Sequence, residues 1–343
     1  MARTLFSCVS ENGESWFVKV QNLVLSIREF GGSQAGAPIV VNFVEGVDPA
    51  FEQWLTGCDA EVRVVERYPG IRYANKLRML ELADQDGFDV LVALDCDTVV
   101  LGDISEFLHA EFFLGKPVDI DVLTDHQWKT IFRGLGLAVP QRAVTTTTFG
   151  QRTYPYFNGG MLLVPRRFCA PLFDVWSRFL HDLEPVYASD PRLALRRKYN
   201  DYIHDQLALA CGLLAARIPA RPVPPKMDIP THLNIHPAFL HELDDPRIVH
   251  YHTGLDHRGF LVSSKYRALN RHLHRFNQRR AHLLGVPYEG LPPLPLGARL
   301  RQELGSRRWF HALAVQKLKA QVRDVLARTG LRPPPSAPRR RPA

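Results

Sequence analysis

Apolar residues in the N-terminal part of the chain alternate between short continuous runs and longer segments with a helical period. Short runs rich in β-branched residues predict strands at residues 4–9, 38–44, 61–65 and 90–94. After the first run, apolar residues recur every three or four positions, which predicts a helix that Ser15 caps and the Gly31-Gly32 pair ends. Further helices are predicted around residues 51–55 and over residues 73–83. This alternation predicts an α/β fold with a mostly parallel central sheet, flanking helices and right-handed crossovers.

The fourth apolar run is followed directly by two carboxylates, Asp95 and Asp97. An unbroken apolar run is typical of a parallel strand buried on both faces, and open α/β sheets bind ligands at the carboxyl ends of such strands. With one residue between them, the two carboxylates can share one side of an extended segment. Two oxygen ligands at this spacing suit Mn²⁺ or Mg²⁺, with a diphosphate and water completing the coordination. An Asp-rich turn has the same composition, but a second apolar run at residues 99–101 favours a functional site.

Charge is divided unevenly along the chain. The net charge is +8 over all 343 residues, whereas residues 261–343 contain 18 Lys and Arg against three acidic residues, a net of +15. Residues 1–260 therefore carry a net charge of −7. An acidic body with a basic tail predicts that the tail alone contacts an anionic surface.

Several classes of protein are disfavoured by the sequence. The five cysteines form no CxxC pair, so neither a zinc site nor a disulfide framework is indicated. The first strands lack the GxGxxG pattern of dinucleotide-binding folds. The chain shows no signal-peptide pattern, and its longest apolar run, residues 207–216, is too short to span a bilayer. We expect a cytoplasmic protein, or a peripheral one on the inner face of the cell membrane.

The segment Leu94-Asp95-Cys96-Asp97, after three strand–helix units, resembles the DxD motif of GT-A-fold glycosyltransferases. It is most similar to glycosyltransferase family 8, which includes glycogenin and the bacterial lipopolysaccharide galactosyltransferases. Four further segments follow in the order of that family, and the resemblance covers about residues 4–260. They are residues 73–77 with Asn75 and Lys76, 156–164 with Asn158 and Gly159, 204–206 with Asp205 and Gln206, and 248–251 with His250.

The resemblance implies a GT-A (Rossmann-like) fold and the transfer of a hexose, with retention favoured over inversion, from a UDP-linked nucleotide-sugar donor. It implies Mn²⁺ (or Mg²⁺) as cofactor, and the acceptor, such as a bacterial cell-surface glycan, a lipid-linked molecule or a small molecule, stays open. The expected metal ligands are Asp95, Asp97 and either His250 or His252. Donor contacts are expected from Lys76, Asn75, Asp95, Asn158 and Gly159. The groups expected at the transferred sugar are Asp205, Gln206 and Asn158.

The chain departs from the family after His250, because the usual lysine and tryptophan are absent and His252 follows two residues later. On a strand both rings would point the same way, so either could be the ligand, and the matching pattern favours His250. Lys76 could equally be a solvated helix lysine, and Asp205 could simply cap a helix.

Two other classes of function remain open. The segment from Asp95 to Val99 also fits the DxDxT motif of haloacid-dehalogenase-type phosphatases, with Asp95 as the nucleophile. That motif normally lies on a first strand, whereas here 94 residues precede it, and the Asp244-Asp245 pair comes before a strand rather than after one. The third class is a non-catalytic sugar-nucleotide-binding protein with the same fold.

We expect a glycosyltransferase domain over residues 1–285, then a Pro-rich linker and basic amphipathic helix over 286–331, and a disordered Pro/Arg tail over 332–343. The helix would place Val315, Leu318, Val322 and Val325 on one face, with Trp309 and Phe310 before them, as in helices that lie on anionic lipid. No nucleic-acid partner is expected. Residues 118–151 are interpreted as an acceptor-side loop.

Overall fold

The computed structural model describes residues 2–71, 73–81, 87–199, 203–297, 299–300, 303–304, 307–308, 311 and 315. The chain divides into two compact units, Met1–Leu294 and Pro295–Ala343. The strands are β1 (Thr4–Glu11), β2 (Ile39–Val44), β3 (Ala60–Val65), β4 (Val90–Leu94), β5 (Thr98–Val100), β6 (Phe113–Pro117), β7 (Val144–Thr145), β8 (Arg152–Thr153), β9 (Phe157–Pro165), β10 (Ala220–Pro222), β11 (Ile229–Pro230) and β12 (Ile248–His250). The α-helices are α1 (Glu14–Phe30), α2 (Pro49–Gly57), α3 (Asp125–Gly134), α4 (Arg166–Ser189), α5 (Pro191–Tyr199), α6 (Ile203–Ala215) and α7 (Arg267–Leu284). Short 3₁₀ helices cover Gly32–Gln34, Ala74–Leu80, Ser105–Phe107, Pro225–Met227 and Pro237–Asp244.

The main sheet has seven strands in the order β10-β6-β9-β4-β1-β2-β3. Strand β1 pairs in parallel with β2 and β4, β2 pairs in parallel with β3, and β6 pairs in parallel with β10. Strand β9 runs antiparallel to both of its neighbours, β4 and β6. The predicted α/β fold with a mostly parallel central sheet and flanking helices is therefore confirmed.

Strand β4 is buried along its whole length, and its side chains alternate between two hydrophobic cores. Leu91 and Ala93 belong to the core that contains residues of α4 and α6. Val90, Val92 and Leu94 belong to the core that contains residues of α1. This two-residue alternation follows from strand geometry, and it explains why the strand is apolar at every position.

A second, three-stranded sheet joins the end of β4 to the late part of the chain, in the order β11-β12-β5. Strand β5 begins directly after the Asp95-Cys96-Asp97 segment and pairs antiparallel with β12, so that Thr98 lies opposite His250. Strand β11 pairs in parallel with the other edge of β12, with Pro230 opposite His250. The small sheet therefore brings the segment that carries Asp95 and Asp97 next to the segment that carries His250.

Two local expectations need correction. Helix α1 begins at Glu14 after Gly13, so Ser15 lies inside the helix and does not cap it. The helix expected over residues 73–83 is a 3₁₀ helix, Ala74–Leu80, which Tyr73 precedes in a left-handed conformation with φ of 70°. Residues 82–86 lie outside the described part of the chain. The predicted end of α1 is confirmed, because the Gly31 amide donates to the Ile27 carbonyl and closes the helix.

Residues 118–151 are not a simple loop. Helix α3 begins with a capping box, in which Thr124 and Gln127 each bond to the other's backbone amide. Trp128 and Phe132 of this helix are buried and stack on each other with ring centroids 5.4 Å apart. The centre of this segment therefore belongs to the core, and only its first residues reach the cavity described below.

The first unit continues beyond residue 285 to Leu294. The Ser263 amide donates to the Pro292 carbonyl at 2.8 Å, and the Leu294 amide donates to the Ser263 hydroxyl at 3.0 Å. These bonds attach the Pro-rich segment to the body.

In the second unit, the described residues from 296 onward are helical, and Leu296, Leu300 and Leu304 are 72%, 50% and 60% exposed. Val315 is described, but Trp309, Phe310, Leu318, Val322 and Val325 lie outside the described residues. No helix within the described ranges is both long and apolar enough to cross a bilayer.

Candidate active site

A cavity of about 510 Å³ opens where β4 and β6 end and β9 begins. It brings together most of the side chains that the sequence predicted at the site. The lining residues are Lys19, Tyr73, Lys76, Asp95, Asp97, Val118, Asp119, Ile120, Asn158, Asp205, Gln206, His232, Leu233, His250, His252 and Thr253.

Backbone pairing holds the Asp95-Cys96-Asp97 segment between the two sheets. The Asp95 amide donates to the Gly160 carbonyl of β9 at 2.8 Å, and the Thr98 hydroxyl donates to the Asp95 carbonyl at 2.8 Å. The Tyr251 amide donates to the Asp97 carbonyl at 3.1 Å, which continues the β5–β12 pairing by one residue. The position of Asp97 relative to His250 is therefore fixed by the main chain on both sides.

Asp97, His250 and His252 each offer one ligand atom, and the three atoms lie within 4.8 Å of one another. His250 Nε2 lies 3.0 Å from Asp97 Oδ1. Strand β12 ends at His250, and His252 adopts a left-handed conformation with φ of 53°. Its ring stacks on that of His250 at a centroid distance of 3.8 Å and an angle of 16°. A tight turn, rather than a shared strand face, brings the second histidine to the group.

This donor set fits a divalent transition ion. A carboxylate with two imidazoles suits Mn²⁺ better than Mg²⁺, which prefers oxygen ligands. Burial lowers the pKa of His250, but Asp97 and Asp228 more than offset this and raise it to about 10. Burial and the charge on His250 lower the pKa of His252 to about 2. A proton on His250 therefore compensates the charge of Asp97, as a cation bound between them would.

Asp95 is oriented differently from Asp97. Its Oδ2 atom lies 2.8 Å from Lys76 Nζ and 3.9 Å from His250 Nε2. Lys76 Nζ also lies 3.9 Å from Asp205 Oδ2, so one lysine joins the two carboxylates. Burial lowers the pKa of Lys76, but Asp95 and Asp205 outweigh it and raise that pKa above its usual value. Lys76 is therefore a charged group inside the cavity and not a solvated helix lysine.

Asp205 is almost completely buried, with 3% of its side chain exposed. Burial raises its pKa to about 6, although Lys76 acts in the opposite direction. Gln206 follows it and lines the cavity beside Asn158. Asn158 Oδ1 accepts a bond from the Gly160 amide at 2.9 Å, which directs its Nδ2 group toward Asp119 at 3.5 Å.

The sequence places this site in a known family. A family model described as the Rhodobacterales glycosyltransferase domain matches residues 20–215. The chain belongs to this glycosyltransferase family. The matched residues include the Asp95-Cys96-Asp97 segment, Lys76, Asn158 and the start of α6.

Other comparisons add little beyond this. No curated protein matches the chain. Among solved structures, one titled "WbbM bifunctional glycosytransferase apo structure" is similar with a TM-score of 0.48 and 13% sequence identity. The match covers 79% of this chain and 50% of that one, so the chain spans about half the length of that structure.

Two residues that the sequence predicted at the glycosyltransferase site do not line the cavity formed by the described residues. Asn75 Oδ1 accepts from the Tyr68 amide at 2.8 Å, and its Nδ2 group donates to Glu11 at 3.2 Å. Gly159 acts through its lack of a side chain, because a Cβ there would lie 3.2 Å from Asp205 Oδ2 and 3.5 Å from Lys76 Nζ.

The structure also adds residues that the sequence did not single out. Lys19 Nζ lies 3.9 Å from Asp97 Oδ2 and 4.3 Å from the centre of the Trp16 ring. In the sequence, Lys19 has the same pattern around it as a helix lysine exposed to water, so no pattern identifies it as a site residue. Asp119 comes shortly after the buried strand β6, just as Asp95 directly follows β4, so the same kind of pattern could have indicated it. Strand β6 contains Gly115, Lys116 and Pro117, which hide its β pattern.

Gly160 provides a direct test of the metal group. A Cβ at this position would lie 2.7 Å from His250 Cε1 and 2.9 Å from its Nδ1, so Gly160→Ala must displace the imidazole. We expect a loss of Mn²⁺ affinity of about tenfold or more, measured by electron paramagnetic resonance titration. Gly36→Ala is the matched control, because a Cβ there has no neighbour within 4 Å. Equal Mn²⁺ affinity in folded Gly160→Ala and wild-type protein would remove His250 from the ligand set.

Proposed function

We propose that the protein is a Mn²⁺-dependent glycosyltransferase that moves a hexose from a UDP-linked sugar to a hydroxyl acceptor. One observation carries the proposal. The ligand atoms of Asp97, His250 and His252 converge in the same cavity as the ammonium groups of Lys19 and Lys76. A cation site beside two lysines is the arrangement that a sugar diphosphate requires.

Cleavage of the bond between the anomeric carbon and the diphosphate builds negative charge on the leaving group. A divalent ion held by Asp97, His250 and His252 would supply Lewis-acid stabilisation of that charge. Lys19 and Lys76 can donate to phosphate oxygens, since each lies within 4 Å of a carboxylate next to the proposed ion. The protein would thus place cationic groups before the charge develops, which avoids the cost of reorganising solvent.

The same cavity also has the groups that a sugar needs. Asn158 and Gln206 offer amides, and Asp119 and Asp205 offer carboxylates, in one contiguous lining. Ring hydroxyls can both donate to and accept from such a set. We propose that these residues orient the hexose so that its anomeric carbon faces the acceptor side, which Val118, Ile120 and Leu233 line.

Retention of configuration is the stereochemistry that the charges support. An inverting transfer needs a base that removes the proton of the acceptor hydroxyl. Each carboxylate among the cavity-lining residues lies within 4 Å of a lysine ammonium: Asp95 and Asp205 beside Lys76, Asp97 beside Lys19, and Asp119 beside Lys116. The lysine ammonium beside each carboxylate competes for the oxygen that would accept the proton, and Asp205, whose pKa burial raises to about 6, is almost completely buried. A retaining transfer can instead use the leaving phosphate as the base.

The phosphatase alternative has less support. Asp95 would be the nucleophile, but its Oδ2 atom is held by Lys76 at 2.8 Å. The Asp244-Asp245 pair does not line this cavity, since Asp245 Oδ2 lies 3.0 Å from Arg247 and 3.6 Å from Lys226. The non-catalytic alternative is a protein that binds a sugar nucleotide without transferring the sugar, and the turnover measured in the test below distinguishes it.

The catalytic proposal is tested by incubating the protein with a panel of UDP-sugars and Mn²⁺ and measuring UDP release. Asp97→Asn keeps the side-chain shape and removes the anionic ligand, so turnover should fall by about 100-fold or more. Asp182→Asn, an exposed carboxylate on α4, should leave turnover unchanged. The anomeric configuration of the product, read by NMR, should match that of the donor. Full activity of the wild type in excess chelator would contradict the proposal, as would turnover of simple phosphomonoesters without binding of any nucleotide sugar.

We further propose that the second unit holds the enzyme on an anionic membrane surface, close to a lipid-linked or cell-surface acceptor. Pro295–Ala343 contains 12 Lys and Arg against Glu303 and Asp324. Leu296, Leu300 and Leu304 are spaced four residues apart on helical backbone and are each at least half exposed. Exposed leucines in a basic segment favour an interfacial position on lipid.

Truncation after Leu294 tests this membrane role, because the bonds from Ser263 to Pro292 and Leu294 are kept. Each basic residue near an anionic bilayer contributes about 1 kcal/mol, so the truncated chain should lose binding to phosphatidylglycerol vesicles in sedimentation. UDP-sugar turnover with a soluble acceptor should be retained. A full-length variant with Leu296, Leu300 and Leu304 changed to Ser keeps the charge and separates insertion from electrostatic attraction. Vesicle binding by the truncated chain at the level of the full chain would refute the membrane role.

A further inference from the structure

A buried ionic chain lies behind the proposed metal group. The Lys116 side chain is 0% exposed, and its Nζ atom lies 2.8 Å from Asp119 Oδ1 and 3.5 Å from Asp228 Oδ2. The Asp228 side chain is also 0% exposed. Charged groups are found at such depth only when they are paired, because desolvation otherwise costs several kcal/mol. Asp119 lines the cavity, whereas Asp228 lies behind it.

Asp228 contacts the far side of His250. Its Oδ1 atom lies 3.4 Å from His250 Nδ1, while His250 Nε2 faces Asp97 Oδ1 at 3.0 Å. Neither Asp228 oxygen nor His250 Nδ1 makes a hydrogen bond of good geometry to any described residue. Asp228 Oδ1 and His250 Nδ1 therefore stand at the edge of hydrogen-bond distance from each other, and neither makes a hydrogen bond to another described residue.

The backbone fixes this contact. Asp228 immediately precedes β11, which pairs with β12 so that Ile229 lies opposite Val249 and Pro230 opposite His250. The Asp228 amide donates to the Pro225 carbonyl at 3.0 Å, which holds the residue at the end of a 3₁₀ turn. Asp228 is thus kept beside His250 by the same small sheet that keeps His250 beside Asp97.

On the basis of the proposed function, we propose that Asp228 is a positioning residue that accepts a hydrogen bond from Nδ1–H of His250 and so leaves Nε2 free to bind the metal ion. A histidine that binds a metal through one nitrogen commonly donates its other N–H to a carboxylate, which fixes the ring and makes it a stronger ligand. Lys116 gives the buried carboxylate its charge partner. Asp228 touches neither the ion nor the substrate, and it acts only through His250.

The geometry separates this role from that of a structural ion pair. If Asp228 served only to neutralise Lys116, both of its oxygens would be free to turn toward the ammonium group. Instead, one oxygen is directed to Lys116 and the other to His250, and Asp119 already neutralises Lys116 at the shorter distance.

The test compares Mn²⁺ dissociation constants by electron paramagnetic resonance, which needs no turnover. Asp228→Leu should weaken Mn²⁺ binding by about 10- to 100-fold, and Asp228→Asn should weaken it less, because the amide oxygen can still accept from Nδ1–H. Asp121→Asn is the matched control, since this partly buried carboxylate bonds to Trp128 Nε1 and belongs to neither the cavity lining nor the ionic chain. Its Mn²⁺ affinity should equal that of the wild type.

Loss of Asp228 also leaves Lys116 with a single partner, so folding is followed by thermal melting for every variant. The double variant Lys116→Met with Asp228→Leu removes the two fully buried charges together, and Asp119 keeps its bond from the Thr147 hydroxyl. It should bind Mn²⁺ as weakly as Asp228→Leu. Wild-type Mn²⁺ affinity in folded Asp228→Leu, or in the folded double variant, would overturn the positioning role. The proposed function would then remain intact. Absence of Mn²⁺ binding by the wild type would overturn both.

Discussion

The pairing of β5 with β12 is the interaction on which the site depends. It places Thr98 opposite His250 and extends to the bond between the Tyr251 amide and the Asp97 carbonyl. His250 and Asp97 are 153 positions apart in the chain, yet their side chains meet at 3.0 Å because three residues of each strand are in register. The other elements of the cavity are attached to this junction through β4, whose end carries Asp95 and Asp97.

Acidic and basic side chains alternate around the cavity, so that each charge lies beside an opposite one. Asp97 contacts Lys19 and His250, Asp95 and Asp205 share Lys76, and the buried chain behind them joins Asp119, Lys116 and Asp228. The proposed function implies that a divalent ion and a diphosphate would bind to this set of charges as a pair. In the proposed function, Asp97 and His250 would hold the ion, and Lys19 and Lys76 would pair with the diphosphate. If only the ion or only the diphosphate bound, one of the two sets of charges would be left uncompensated, which is costly at this depth.

Much of the fold could be predicted from the sequence because its strands are apolar runs with unambiguous burial. The strands at residues 4–9, 38–44, 61–65 and 90–94 correspond to β1 to β4, and the Asp95-Cys96-Asp97 segment follows β4 as expected. The short strands β11 and β12 have two and three residues, too few for a periodic signal, so only the family resemblance indicated β12. Lys19 could not be predicted, because a helix lysine that faces a cavity has the same local sequence as one that faces water. Asp228 follows a Pro-rich 3₁₀ turn, where no periodic pattern exists, and its importance comes only from a neighbour twenty-two positions later.

The central claim is that Asp97, His250 and His252 bind one divalent ion beside a nucleotide diphosphate. Diffraction from crystals of the full chain grown with Mn²⁺ and UDP, collected at the manganese absorption edge, tests it most directly. The account predicts a single strong anomalous peak in the cavity within coordination distance of Asp97 and His250, with phosphate oxygens completing the shell. An anomalous peak elsewhere, or bound UDP with the His250–Asp97 hydrogen bond still intact and no metal between them, would contradict it.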